Sequence, residues 1–212
     1  MTTAAVISDF GGVLTTPLVQ SFVAFQDETG IAMETLGLTM QRIAEREGRH
    51  PLYELEKGHL TEADFLARIA DELEPELGHR PQMHRFSDVY FEALEPNAPM
   101  VELMRELRRE GHRMALLTNN VREWEPLWRS MLPVDEIFEL VVDSAFVGCR
   151  KPEREIYEIT LDRLGLTAGE CLFVDDVEVN ATAAREIGMS AVHFRDNDQA
   201  IAEIRAALGQ EG

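Results

Sequence analysis

Three short apolar runs in this sequence each end on side chains that can do chemistry. Ala4-Ala5-Val6-Ile7 stops at Ser8-Asp9, Arg113-Met114-Ala115-Leu116-Leu117 runs into Thr118-Asn119-Asn120, and Cys171-Leu172-Phe173-Val174 ends at Asp175-Asp176. If these ends converge, three carboxylates share one place, and like charges disfavour one another's ionisation. A hard divalent cation resolves the conflict: Mg²⁺ takes carboxylate and water oxygens and commonly binds substrate phosphate as well. One carboxylate can then act as a nucleophile and form an aspartyl-phosphate, which splits hydrolysis into two easier steps. Phosphoryl transfer also needs donors and positive charge around the moving group. Thr118, with its hydroxyl and the backbone N–H groups that follow, suits the first need. Lys151 suits the second: it is one of only two lysines, with Lys57, against 18 arginines. In Cys149-Arg150-Lys151-Pro152 it is expected to open a helix whose N-terminal dipole favours anions.

The elements that must position these groups alternate. Leu140-Val141-Val142 and Ala191-Val192-His193-Phe194 read as further strands. Met100 to Arg109, Glu153 to Leu164 and Ala181 to Ile187 read as helices, closed by Gly111, Gly165 and Gly188. Strands alternating with helices predict an α/β fold, a parallel sheet in a three-layer, Rossmann-like arrangement. Right-handed crossovers then bring all strand C-termini to one edge, where ligands bind at the switch point. Between Val19 and about Leu94 the periodicity is helical, with Thr61 capping a helix whose apolar face is Phe65, Leu66, Ile69 and Leu73. The expected division is a core of residues 1–16 and 95–212 and a helical insertion, 17–94. Trp124 and Trp128, four apart, are expected to pack rather than to stack on a ligand.

Composition sets the outer bounds. Hydrophobic residues make up 45% of the 212, enough for a real core, and the formal net charge is -19. That charge repels nucleic acid and anionic lipid, so neither is an expected partner. Cys149 and Cys171 match no metal or redox spacing, and the six histidines form no ligand-spaced pair. No basic leader or membrane-length apolar run is evident, so the expectation is a soluble cytoplasmic protein, monomer or homodimer.

The quoted segments resemble the haloacid dehalogenase-like hydrolase superfamily. Ser8-Asp9-Phe10-Gly11-Gly12-Val13-Leu14 is similar to its first motif, Leu117-Thr118-Asn119 to its second, Arg150-Lys151-Pro152 to its third. Phe173-Val174-Asp175-Asp176-Val177-Glu178-Val179-Asn180 is similar to the fourth, and the helical insertion to the family's cap. The closest likeness is to the branch containing the phosphatase domain of soluble epoxide hydrolases. The resemblance implies a Mg²⁺-dependent phosphatase acting on a small phosphorylated metabolite. Asp9 would be nucleophile and metal ligand, joined at the metal by the Gly11 carbonyl and Asp176, with Asp175 and Asn180 behind them. Thr118, Asn119 and Lys151 would hold the transferred group. One departure stands out: family phosphatases usually carry a second Asp where this chain has Gly11, and that Asp protonates the leaving oxygen. General acid–base help is worth roughly 10²–10⁴-fold, so its loss implies a good leaving group, an acid from the cap, or weak catalysis. The alternatives are a 2-haloacid dehalogenase-type hydrolase and a ligand-binding protein on a catalytically weak core.

Overall fold

The computed structural model describes residues 3–83 and 86–210. Strand β1 (Ala5–Ser8) leads into helices α1 (Val19–Thr29), α2 (Met33–Glu47), α3 (Pro51–Glu56), α4 (Glu62–Leu77) and α5 (Phe86–Glu92). Then follow α6 (Ala98–Arg109), β2 (Arg113–Thr118), α7 (Glu125–Met131), α8 (Val134–Ile137), β3 (Leu140–Asp143) and α9 (Ser144–Val147). The chain closes with α10 (Arg154–Leu164), β4 (Cys171–Asp175), α11 (Glu178–Glu186), β5 (Ser190–His193) and α12 (Asn197–Ala207).

The five strands form one wholly parallel sheet in the order β3-β2-β1-β4-β5. Alternation along the strands sends side chains to two covers. Val6, Met114, Leu116, Leu172 and Val174 face α6 and α12, whereas Ala5, Ile7, Leu117 and Phe173 face α10 and α11. Both faces are therefore apolar, as parallel sheets require. The chain builds outward from β1 to β2 and β3, then crosses to β4 and β5. The switch point lies between β1 and β4, where Ser8 pairs with Val174.

The five helices after β1 arise from ordinary amphipathic signals. In α4, Thr61 accepts a hydrogen bond from the Asp64 N–H, Gly78 ends the helix in a left-handed conformation, and Phe65, Ile69 and Leu73 turn inward at four-residue spacing. Their apolar faces join the cluster that covers the sheet. Chain entry and exit run side by side. Thr15 bridges Pro96, the Thr16 N–H donates to the Glu95 carbonyl at 2.8 Å, and the Asn97 N–H donates to Leu14 at 2.8 Å. Cys149 and Cys171 are free and buried. One expectation is corrected. Lys151 does not open a helix: α10 begins at Arg154, and Lys151 stands in the turn before it.

Candidate active site

The expected residues do converge, and Lys151 is at their centre. Its side chain is 1% exposed, and its ammonium donates to Asp9 Oδ1 at 2.8 Å and to Asp175 Oδ2 at 2.6 Å. Burial opposes the charge, but the carboxylates of Asp175 and Asp9 outweigh it and raise the lysine's pKa. Asp9 extends β1, anchored by its N–H on the Val174 carbonyl at 2.8 Å. Its Oδ1 also accepts the Phe10 N–H at 2.7 Å. Among the described residues no hydrogen bond engages Oδ2, which leaves that oxygen for a ligand. Asp175 has no such freedom. Its Oδ2 meets Lys151, and its Oδ1 accepts the Val177 N–H at 2.8 Å and the Asn180 side-chain amide at 3.0 Å.

Asp176 is the third carboxylate, and donor oxygens of Asp9, Asp175 and Asp176 lie within 4.8 Å of one another. One lysine does not balance three carboxylates. Burial raises the Asp9 pKa well above the carboxylate range, with Asp175 and Asp176 adding to it and Lys151 opposing. Burial and then Asp175 push Asp176 up to about 6. An all-oxygen donor set short of positive charge fits a hard divalent cation.

The turn after Asp9 is shaped around this cluster. Gly12 has φ +77°, and a Cβ there would lie 2.1 Å from Asp176 Oδ2. Gly11 is different: its φ is ordinary, and a Cβ would meet the two methyl groups of Leu18 at 3.1 Å. Leu18 thus fills the space beside position 11.

Thr118 ends β2 and is buried, with only a long 3.5 Å contact from its hydroxyl to the Asn119 carbonyl. The Asn119 side chain clasps the Lys151 backbone, donating to its carbonyl at 3.0 Å and accepting its N–H at 2.8 Å. Its side chain therefore positions the lysine, and only its backbone remains for an anion. Sequence reasoning missed Asp143, which ends β3 opposite Thr118. Asp143 Oδ1 accepts the Ala145 N–H at 3.0 Å, while Oδ2 is buried without a partner.

Above this edge lies a cavity of about 360 Å³. Its floor carries Phe10, Gly11, Thr118, Asn119 and Asn120, and helices α2 to α5 supply most of its wall. Trp124 packs as expected, against Phe86, Tyr90 and Phe91, but it also lines the cavity.

A family model described as haloacid dehalogenase-like hydrolase matches residues 3–188. The chain belongs to the haloacid dehalogenase-like hydrolases. Over 55% of its length it is 33% identical to the sesquiterpene phosphatase astK of Aspergillus oryzae, covering 59% of that protein. Over 96% of its length it is 25% identical to bifunctional epoxide hydrolase 2 of Rattus norvegicus, covering 38% of that protein. The chain thus spans less than two thirds of these curated relatives. Its fold is shared with a haloacid dehalogenase family enzyme from Bacteroides thetaiotaomicron, solved as a magnesium complex. The TM-score is 0.67 at 23% identity, over 92% of this chain and 94% of that one. Among the described residues of this haloacid dehalogenase-like hydrolase, no helix is long and apolar enough to cross a membrane.

Gly12→Ala is expected to lower unfolding free energy by about 1–3 kcal/mol from the left-handed backbone alone, with the Asp176 clash added. Gly11→Ala need only shift the flexible Leu18 side chain and is expected to cost less. Urea denaturation of the two variants side by side checks this, and equal losses would refute the packing account.

Burial pushes Asp143 up to about 7. A carboxyl that binds its proton more tightly folded than unfolded stabilises fully below about pH 4, and that contribution fades as pH rises through about 7. Asp143→Asn keeps the acceptor for Ala145 and cannot ionise. It is expected to be more stable than wild type at pH 8, by up to about 4 kcal/mol, with a smaller stability decline between pH 4 and 8. Denaturation midpoints across that range provide the measurement.

Proposed function

We propose that this chain is a magnesium-dependent phosphomonoesterase that works through an aspartyl-phosphate on Asp9. The observation that carries the reading is a carboxylate with one unengaged oxygen, backed by a buried lysine at 2.8 Å and followed directly by Phe10 and Gly11 on the floor of the cavity. The relatives named as phosphatases support it. We take the helical segment 17–94 as the cap.

Asp9 attacks phosphorus, the phosphorus–oxygen bond to the alcohol breaks, and the phosphoryl group passes to the carboxylate. Water then cleaves the acyl phosphate, returning the Asp9 carboxylate and inorganic phosphate. Lys151 holds Asp9 in line and offsets charge on the transferred oxygens. Thr118, with the backbone N–H groups of Asn119 and Asn120, supplies donors. Asn119 acts through its clasp on Lys151. Asp176, Asp9 and the Gly11 carbonyl would hold Mg²⁺, with Asp175 and Asn180 behind them orienting the cluster. When bound, the ion would neutralise the clustered carboxylates and polarise the phosphoryl oxygens.

No side chain reaches from position 11 to protonate the leaving oxygen. The cavity favours an acid from the helical insertion instead. Glu56, at the end of α3, is the one acidic side chain on the wall among the described residues. Burial raises its pKa, against the opposing pull of Arg150, whose Nε lies 2.5 Å from its carboxylate, and of Lys151. We assign it the leaving-group proton.

With p-nitrophenyl phosphate, turnover is expected to require Mg²⁺ and to vanish with a chelator. Asp9→Asn should fall to the uncatalysed background with an unchanged circular dichroism spectrum. Retention of a substantial fraction of activity by that variant would remove Asp9 as nucleophile. Glu56→Gln is expected to cut turnover of alkyl phosphates by about 10²-fold or more and of aryl phosphates much less, since a phenolate leaves without a proton. An equal loss on both would show that Glu56 positions the cap rather than donating a proton.

A further inference from the structure

The floor of the cavity is suited to a phosphate, but its wall is suited to something quite different. Beyond the floor the lining side chains are apolar or aromatic, apart from Glu56, the hydroxyl of Tyr90 and the indole N–H of Trp124, which is buried without a partner among the described residues. Leu36, Phe65, Ile69, Met83 and Phe86 come from three separate helices, α2, α4 and α5, and the segment between the last two, and all are buried. At about 360 Å³ the space falls within the range of about 300–1,000 Å³ that holds drug-sized ligands, far more than a phosphate needs.

The chemistry of that wall discriminates among alcohols. A sugar or nucleoside would bring hydroxyls and ring nitrogens into contact with side chains that cannot pair with them, and each unsatisfied polar group costs about 1–3 kcal/mol. A hydrocarbon body loses nothing there and gains about 0.8 kcal/mol per buried methylene. Leu18 strengthens the case. Its methyl groups stand beside Gly11, where family phosphatases carry an acid, so even the wall next to the scissile bond is apolar.

One face of α2 shows where the cavity meets solvent. Met33, Leu36, Gly37 and Met40 line it at helical spacing, and Met33 and Gly37 are exposed. Glycine inside a helix costs roughly 0.5–1 kcal/mol relative to alanine. Gly37 has an ordinary helical φ and no atom within 4 Å of where a Cβ would stand. No turn or close approach requires glycine there, and its effect is to leave the rim open.

We propose that the cavity receives the apolar body of the substrate alcohol, and that the esters processed here are phosphates of extended hydrocarbon alcohols, with Gly37 keeping the rim clear for the far end of the chain. The proposal rests on the phosphomonoesterase reading for the phosphate end and on the wall for the rest, and the two separate experimentally.

Methyl-, butyl- and octylphosphonate resist hydrolysis, so their binding to the wild-type protein with Mg²⁺ present, measured by calorimetry, tests the wall without turnover. Affinity is expected to rise about two- to fourfold per methylene. The corresponding phosphates, given to wild type, should rise in kcat/KM in the same order, and glucose 6-phosphate and adenosine monophosphate should be poor substrates. Gly37→Leu, which suits a helix and whose Cβ meets no neighbour, should weaken octylphosphonate binding at least tenfold and methylphosphonate binding far less. Met40→Trp narrows the same wall from a half-buried position and should act alike. A chain-length trend in binding without turnover of any phosphate would uphold the apolar site and sink the phosphatase reading. Turnover with no preference for chain length, or with sugar phosphates preferred, would overturn the apolar-substrate proposal and leave the phosphatase reading standing.

Discussion

The site is organised by one buried ammonium held between two carboxylates. Taking Lys151 out of water is expensive, and only the paired carboxylates of Asp9 and Asp175 make it tolerable. That pairing ties together the ends of β1 and β4, the two strands flanking the switch point. Asn119 then clasps the lysine backbone and so fastens the end of β2 to the same group. Asn180, from α11, closes the circle by donating to Asp175. Removing Lys151 leaves two buried carboxylates without their cation, and removing either asparagine leaves a polar group of the cluster without a partner, so the constellation is held as a unit rather than as independent contacts.

The balance is deliberately incomplete. Asp175 is fully engaged, whereas Asp9 keeps one oxygen open. Burial is the first cause of the raised pKa of both Asp9 and Asp176, and neighbouring carboxylates add to it against the pull of Lys151. Gly12 completes the geometry, because a side chain there would occupy the place of the Asp176 carboxylate. The turn after β1 is therefore shaped from both sides, by a backbone angle and by a neighbouring carboxylate.

The sheet was legible because its strands are short apolar runs with polar ends, and each run lies within a residue or so of its expected place. The convergence of Asp9, Thr118 and Asp175 was expected from topology alone, whereas Lys151 stood out as one of only two lysines. Other features had no local signal. Asp143 reads as one more acidic residue after a strand, and only burial and register with Thr118 distinguish it. Lys151 was expected on a helix, but Pro152 and Glu153 follow it in the turn, and the helix starts only afterwards. Asn119 was expected to help hold the transferred group, and nothing local showed that its side chain would also bond a backbone 32 residues away. The crowding at Gly11 was likewise unreadable: its φ is ordinary, and Leu18 is what fills the space beside it. The cavity was invisible for a different reason. An apolar helix face reads the same whether it packs on a neighbour or lines a space.

That last point bears on how a strongly acidic chain could work on an anion. A net charge of -19 opposes the approach of any phosphate. The site answers locally, with a lysine at 1% exposure beside a cavity whose wall is largely apolar. In such surroundings the effective dielectric is low, so a single ammonium acts more strongly on the phosphoryl oxygens than it would at a surface. The apolar wall consequently has two effects that do not compete. It offers a hydrocarbon chain a favourable transfer out of water, and it strengthens the one fixed charge available for the phosphate. A substrate with a charged head and an apolar body exploits both, because burying its tail draws its head towards Lys151 in a protein whose outer surface would otherwise turn it away.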